Sequence, residues 1–229
     1  MSLFKDLKPD MIWKYFEEIC QIPRPSKKED KIIDYLIAFA KKYALELNRD
    51  KTGNVVIRKP ATKGFENKKT AVLQSHVDMV CEKNSDSAHQ FDTDPIQAYI
   101  DQEWVKAKGT TLGADDGIGV AAALAILSAT NIQHGPLECL FTVGEEIGLI
   151  GAFALEDGFF GGDILINLDS EDEGELFIGC AGGIDTVATF HFKRKEVPVK
   201  TIAYQISISG LQIIKDFTLI FQKKLKEIN

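Results

Sequence analysis

The stretch Thr111–Leu127, TLGADDGIGVAAALAIL, places two adjacent carboxylates, Asp115 and Asp116, directly before a long apolar run. The run from Gly117 to Leu127 is too long and too rich in alanine and leucine for a strand, so it predicts a buried helix. Either aspartate fits the N-cap of that helix, where a side-chain oxygen accepts a backbone N–H bond. The same carboxylates also fit a metal site that the helix would hold rigidly.

Helical and strand-like segments alternate along the rest of the chain, which predicts an α/β fold with a mixed sheet flanked by helices. Helical spacing predicts helices over Asp10–Cys20, over 32–40 and over Ile147–Leu155. Ser26 and Glu29 match an S-x-x-E capping box for the second helix. Five segments have the composition of strands: Asn54–Arg58, Thr70–Ser75, Ala98–Ala107, Leu137–Val143 and Asp163–Leu168.

Composition excludes several classes of protein. The chain of 229 residues is 45% hydrophobic and carries 27 Lys and Arg against 34 Asp and Glu, for a net charge of −7. No basic stripe is present, so we expect no nucleic-acid partner. Neither a signal peptide nor a membrane span is recognisable, so we expect no membrane partner and a cytoplasmic location. The four cysteines lie far apart and are expected to be reduced thiols rather than zinc ligands.

Three of the predicted strands end in residues that commonly bind metals. His76 and Asp78 follow the first of these strands, Glu145 and Glu146 the second, and Asp169 the third. Each alone has an ordinary explanation, such as a core histidine, a helix-dipole acid or a loop acid. Because α/β sheets collect ligands at the carboxyl ends of their strands, the coincidence favours one shared site.

The residues of this site can divide the tasks of metal-dependent hydrolysis. The charges of Asp115, Glu146, Asp169 and one bound hydroxide balance those of two divalent ions, and Asp115 can bridge the two ions with its two oxygens. Glu145 is then left over. A carboxylate that lies beside a metal-bound water without binding the metal is suited to be the general base.

Five segments together resemble a known family: SHVDMVCEKN, TLGADDGIGVA, TVGEEIGLIGA, NLDSEDEGE and CAGG. They are similar to the aminoacyl-histidine dipeptidases, also called cytosolic nonspecific or Xaa-His dipeptidases, of the dizinc metallopeptidase clan that includes carboxypeptidase G and the aminoacylases. The similarity runs from Leu7 to Leu211. It implies a zinc-exopeptidase-like catalytic domain that hydrolyses dipeptides, of Xaa-His type or of broad specificity, with two divalent ions. Zinc is the ion expected, with manganese or cobalt as alternatives.

The resemblance also implies a role for each candidate residue. It assigns His76 and Asp169 to one metal, Glu146 to the other, and Asp115 to a bridge between them. It makes Asp78 the residue that orients His76, and Glu145 the base that acts on a metal-bound hydroxide. It further implies a cis peptide bond after Asp115.

The resemblance divides the chain into a catalytic domain over 1–183 that lacks its C-terminal part, the first strands of an incomplete lid domain over 184–211, and a divergent tail over 212–229. Relatives are about twice as long and carry a later zinc-binding histidine. We therefore expect a truncated chain with a weak second metal site and very poor dipeptide hydrolysis. The exposed edges of the lid strands favour pairing with a second copy, as a homodimer.

Two alternatives to a dipeptidase stay open. The first is another amidohydrolase of the same clan, such as a deacylase. The second is a noncatalytic, metal-binding remnant. A turnover assay on Xaa-His dipeptides with added metal separates the dipeptidase from the remnant.

Overall fold

The computed structural model describes residues 3–170, 174–179 and 189, and it has the predicted α/β architecture. In chain order the elements are α1 (Asp10–Cys20), α2 (Asp30–Lys42), β1 (Glu46–Arg49), β2 (Val55–Lys59), β3 (Ala71–His76), β4 (Ala98–Asp101), β5 (Trp104–Ala107), α3 (Ala114–Ser128), β6 (Leu137–Thr142), α4 (Ile150–Phe153) and β7 (Ile164–Asn167).

The main sheet is mixed and has the strand order β1-β2-β6-β3-β7. The strands β6, β3 and β7 run parallel, whereas β1 and β2 pair in antiparallel fashion. In the parallel part His76 lies opposite Thr142, and Gln74 lies opposite Asn167. The residues that follow these three strands therefore emerge at one edge of the sheet.

Alternation along the strands divides the apolar side chains between the two faces of the sheet. Val55 and Ile57 of β2 belong to the large core, whereas Val56 between them belongs to a smaller cluster with Val72 and Leu140. The large core also contains the buried faces of α1 and α2, whose members are Tyr15, Phe16, Ile19, Cys20, Ile32, Ile33, Leu36, Phe39 and Ala40. Helices α1 and α2 thus contribute to the large core, and the predicted mixed sheet with flanking helices is confirmed.

Helix α3 carries Asp115 and Asp116 in its first turn and is buried over most of its length. It packs against α1 and against β3. Its residues Ala121, Ala123 and Leu124 are fully buried. The buried helix that the apolar run predicts after the two aspartates is present.

The capping-box prediction for α2 is wrong. Glu29, rather than Ser26, occupies the N-cap position, and neither side chain caps the helix. The Ser26 hydroxyl instead donates to Asp78 Oδ2 at 2.7 Å. The Glu29 carboxylate accepts a hydrogen bond from the backbone N–H of Gly144 at 3.1 Å. Long-range partners thus take the side chains that the local rule assigns to the helix end.

Three other elements differ from the prediction. The sequence does not predict strand β1, because ELNR is mostly polar. In the structure its side chains are largely exposed at the edge of the sheet. The segment Ala98–Ala107 is a hairpin of β4 and β5 rather than one strand, with Gln102 in the turn at φ 56°. Helix α4 begins only at Ile150, because Gly148 and Leu149 both have positive φ and cannot continue a helix toward Ile147.

The chain divides into two units, Met1–Ile178 and Gly179–Asn229. The predicted boundaries at 183/184 and 211/212 lie outside the described residues, as do the lid strands expected to support a homodimer. The domain assignment and the dimer therefore stay predictions. Within the described ranges, no helix is both long and apolar enough to cross a lipid bilayer.

Candidate metal centre

The predicted metal ligands meet at the edge of the sheet where β3, β6 and β7 end. Single ligand atoms of His76, Asp115 and Glu146 all lie within 4.8 Å of one another. Asp169 Oδ2, from the loop after β7, lies 3.8 Å from His76 Nε2. Four residues that are distant in sequence therefore converge, because three come from the ends of neighbouring strands and one from the start of α3.

His76 is held between two carboxylates. The ring is buried, its Nε2 lies 2.8 Å from Asp115 Oδ1, and its Nδ1 lies 3.4 Å from Asp78 Oδ1. Burial alone would lower the pKa of His76, but the contacts with Asp78 and Asp115 outweigh burial and raise the pKa to about 9. The imidazole is thus placed to give one nitrogen to a cation while Asp78 faces the other nitrogen.

Asp78 does more than face His76, because its buried carboxylate also holds the turn after β6. Its Oδ1 accepts the backbone N–H of Glu145 at 3.0 Å, and its Oδ2 accepts that of Glu146 at 3.3 Å. Ser26 donates to the same Oδ2. Burial opposes ionisation of Asp78, yet these donors and His76 together hold its pKa below the usual value.

The two adjacent aspartates have different surroundings. Asp115 is exposed and reaches His76, whereas Asp116 is buried and accepts backbone N–H bonds from His76 at 3.2 Å and from Gly119 at 3.1 Å. The backbone of both residues is non-helical, so α3 is kinked here, and the bond to Gly119 resembles an N-cap for the part of α3 that follows the kink. Asp116 thus fills a structural role, and Asp115 faces the site. The peptide bond between them is cis, as the resemblance implies.

Burial raises the pKa of Asp116 to about 7, and the negative charges of Asp169 and Asp115 act in the same direction. The two glutamates after β6 behave similarly. Burial raises the pKa of Glu145 and that of Glu146, and neighbouring acids raise both further. Such mutual repulsion among carboxylates is what a bound cation relieves.

The donor set fits a divalent transition-metal ion. It offers one imidazole nitrogen from His76 and carboxylate oxygens from Asp115, Glu146 and Asp169. Zinc, manganese and cobalt accept this mixture of nitrogen and oxygen donors, and the partial exposure of the carboxylates leaves room for water. Glu145 lies in the same acidic neighbourhood but is not one of the three residues whose ligand atoms cluster.

Sequence reasoning missed three residues that support the site, all from the loop between α1 and α2. They are Arg24, Ser26 and Glu29, whose partners lie in the segments that carry the candidate ligands. For Ser26 and Glu29 the sequence pattern predicts a capping box and gives no sign of these distant partners. Arg24 matches no local motif, and the sequence shows only that it lies between Pro23 and Pro25.

The family model described as Peptidase family M20/M25/M40 matches residues 72–222. The chain is 51% identical over 212 residues to the cytosol non-specific dipeptidase of Escherichia coli (strain K12), a match that covers 93% of this chain and 44% of that protein. The crystal structure of aminoacylhistidine dipeptidase from Vibrio alginolyticus is 55% identical with a TM-score of 0.73, covering 75% of this chain and 35% of that chain.

A more distant similarity is to aminopeptidase PepT from Bacillus cereus ATCC 10987. That structure is 30% identical with a TM-score of 0.60, and the match covers 71% of this chain and 43% of that chain. The chain thus spans less than half the length of each of these three relatives.

Proposed function

The chain belongs to peptidase family M20/M25/M40, and from this premise we propose that it hydrolyses the peptide bond of dipeptides with the help of divalent cations. The observation that carries the proposal is the convergence of His76, Asp115 and Glu146 at the edge of the sheet. The names of two relatives, a non-specific dipeptidase and an aminoacylhistidine dipeptidase, support dipeptides as the substrate class. The first of these names also supports a cytoplasmic location.

The cations would be held by His76, Asp115, Glu146 and Asp169, with Asp115 between two positions. We propose zinc, with manganese or cobalt as alternatives, because the donors are one nitrogen and several carboxylate oxygens. When bound there, a divalent ion would lower the pKa of a water molecule and polarise the carbonyl of the substrate.

Among the described residues His76 is the one histidine at this cluster, so we propose one tight metal position and one weaker position. A second position built from carboxylates alone lacks the nitrogen donor that zinc prefers. Its occupancy would therefore need a higher concentration of metal.

Glu145 would act as general base and then as general acid. Its carboxylate would accept the proton from the attacking water and pass it to the amine nitrogen as the carbon–nitrogen bond breaks. Burial and nearby acids raise the pKa of Glu145, which makes the carboxylate a stronger base than an exposed glutamate. Asp78 accepts the backbone N–H of Glu145, so it fixes the turn that presents this side chain.

The test is turnover of Xaa-His and other dipeptides by the full chain with zinc, manganese or cobalt, compared with the Glu145→Gln variant. Loss of a general base commonly lowers the rate by about 10²–10⁴. Even slow turnover by the parent is informative if a chelator and Glu145→Gln both abolish it. The exposed Glu156 provides the control, since Glu156→Gln makes the same change of charge away from the cluster.

Three results would contradict the proposal or redirect it. Turnover that survives the chelator would remove the metal-dependent mechanism. Hydrolysis of N-acyl amino acids in preference to dipeptides would favour the amidohydrolase alternative. Metal binding by a folded chain without any turnover would favour the noncatalytic alternative.

A further inference from the structure

The loop between α1 and α2 contacts three of the segments that carry the candidate metal ligands. Arg24 bonds to the backbone beyond His76 and to the backbone before Asp115. Five residues along the chain, Glu29 bonds to the turn before Glu146. A short stretch of sequence thus contacts all three segments.

Arg24 is buried and donates hydrogen bonds to backbone carbonyl oxygens. Its exposed fraction is 3%, and Nη1 donates to the carbonyls of Val77 at 3.0 Å and Asp78 at 2.8 Å. Its Nη2 donates to the carbonyl of Gly113. In the part of the chain that the structure describes, no carboxylate forms an ion pair with Arg24.

The guanidinium of Arg24 packs closely against two glycines, Gly113 and Gly117. A Cβ atom placed on Gly117 would lie 2.7 Å from Arg24 Nη2, and a Cβ on Gly113 would meet the same nitrogen. Both glycines flank the Asp115–Asp116 turn. The absence of side chains at these two positions therefore allows the guanidinium to reach between β3 and the start of α3.

Ser26 and Glu29 extend the connection to the turn after β6. Ser26 donates to Asp78 Oδ2, whose carboxylate accepts the backbone N–H groups of Glu145 and Glu146. Glu29 is buried and accepts the preceding N–H of Gly144. The backbone N–H groups of three consecutive residues in this turn are therefore held by two buried carboxylates.

We propose that Arg24, supported by Ser26 and Glu29, is a positioning residue that fixes the distance between the His76–Asp78 segment and the Gly113–Asp115 segment before a cation binds. The inference rests on the proposed function, because it assumes that these segments supply metal ligands. A planar guanidinium bonds in several fixed directions at once, whereas a lysine ammonium lacks this fork. The geometry of Arg24 matters here more than its charge.

The two effects of Arg24 on a bound cation have opposite signs. Its positive charge repels a cation, so that removal of the charge alone would strengthen binding. Its hydrogen bonds hold the ligand segments in place, so that their loss would weaken binding. Arg24→Lys keeps the charge and removes the fork, and it therefore isolates the positioning effect.

The experiment is a cobalt(II) titration of the full chain, followed by visible absorption, for the parent, Arg24→Lys and Ser26→Ala. Loss of a group that orients metal ligands commonly weakens metal binding by about 10–100-fold, and we expect a weakening in this range for Arg24→Lys. We expect a smaller loss for Ser26→Ala, since one bond to Asp78 is removed. Both variants should also show changed cobalt absorption bands, which report ligand geometry rather than stability.

Arg58→Lys is the matched control. Arg58 is a half-buried arginine that donates to Glu138 Oε1 and to the carbonyl of Phe159. It lies in β2 opposite the beginning of β6, away from the cluster. This variant loses a guanidinium fork as well. We expect its melting temperature to fall while its cobalt affinity and absorption bands match those of the parent.

The outcomes separate this inference from the proposed function. A parent chain that binds no cobalt would overturn the proposed function and the positioning role together. A parent that binds cobalt, with Arg24→Lys matching it in affinity and absorption bands, would overturn the positioning role alone. If Arg24→Lys does not fold, Ser26→Ala decides, and parent-like cobalt binding by that variant would overturn the positioning role.

Discussion

Replacing Asp78 with asparagine should destabilise the metal-free chain strongly, because both oxygens of this carboxylate are occupied. Oδ1 accepts the N–H of Glu145 and faces the ring of His76, while Oδ2 accepts the Ser26 hydroxyl and the N–H of Glu146. An asparagine NH₂ group at either position would face at least one backbone N–H. One half-buried backbone N–H then loses its acceptor whichever way the side chain turns.

The expected loss follows from these contacts. A hydrogen bond to a charged group contributes about 1.5–3 kcal/mol, and a buried donor left without a partner costs about 1–3 kcal/mol. The bonds that remain are also weakened, since their acceptor is no longer ionised. We therefore expect Asp78→Asn to lower the free energy of unfolding by about 3 kcal/mol.

The measurement is urea denaturation followed by circular dichroism, with a chelator present, at several pH values. The pKa of Asp78 lies below its ordinary value of 3.8, so its stabilisation is present above that pH and is lost as pH falls through the folded-state pKa. The difference between parent and variant should be constant from about pH 5 to about pH 6 and should shrink below about pH 4. It should also shrink as pH rises above 6.5, the ordinary pKa of His76, because Asp78 is one of the contacts that raise that pKa in the folded chain.

Asp163→Asn is the control for removal of a charge. Asp163 is exposed and accepts one backbone N–H, that of Thr70 at 2.9 Å. An asparagine oxygen can replace that single acceptor, so we expect a change of less than about 0.5 kcal/mol. Asp78→Asn with a stability within about 1 kcal/mol of the parent, or equal to that of Asp163→Asn, would refute the role assigned to Asp78.

Three further predictions concern the centre and the core. Contacts with two carboxylates raise the pKa of His76 to about 9, so the ring carries a proton at pH 7.5. Metal binding should release this proton, and metal affinity should rise as pH rises toward 9. Calorimetry in buffers of different ionisation enthalpy tests this, and equal heats of metal binding in all buffers would contradict it. Gly119→Ala should destabilise the chain by about 2 kcal/mol in urea denaturation, because the added Cβ would overlap the carboxylate of Asp116. Helix propensity alone predicts that alanine stabilises the helix. A stabilised variant would therefore contradict the close contact between Gly119 and Asp116. Burial raises the pKa of the Cys139 thiol to about 12 and that of the Cys20 thiol to about 11. Both cysteines should therefore stay unlabelled by a thiol reagent at pH 8 in the native chain and become labelled in urea, as peptide mapping would show. Fast labelling without urea would contradict their burial.

The class of the fold and the residues of the candidate site can both be predicted from the amino-acid sequence. Strand-type runs and one long apolar run predict a sheet with helices, because periodicity is a local property that neighbouring residues express directly. The rule that ligands gather at the carboxyl ends of strands then pointed to His76, Glu146 and Asp169, and their convergence required only that these strands run parallel. The metal and catalytic roles of these residues stay predictions.

Local rules failed where a distant partner competed for the same side chain. Ser26 and Glu29 match a capping box, yet Asp78 and the backbone of Gly144 take their polar atoms. The reason is that a buried donor or acceptor must be satisfied wherever the fold places it, and the cost of leaving it unpaired exceeds the gain from a helix cap. Spacing along the chain does not show which groups become buried.

Local spacing does not distinguish Asp115 from Asp116, although the family resemblance assigns the bridging role to Asp115, and tertiary structure supplies the physical reason for the difference. In the sequence the two residues are chemically identical neighbours, and either fits an N-cap or a ligand. Packing of α3 against α1 and β3 buries Asp116, whose carboxylate accepts the backbone N–H groups of His76 and Gly119. The same packing leaves Asp115 exposed beside the ring of His76. The same packing gave Arg24 its carbonyl partners, since Val77 and Gly113 become neighbours only when strand and helix meet.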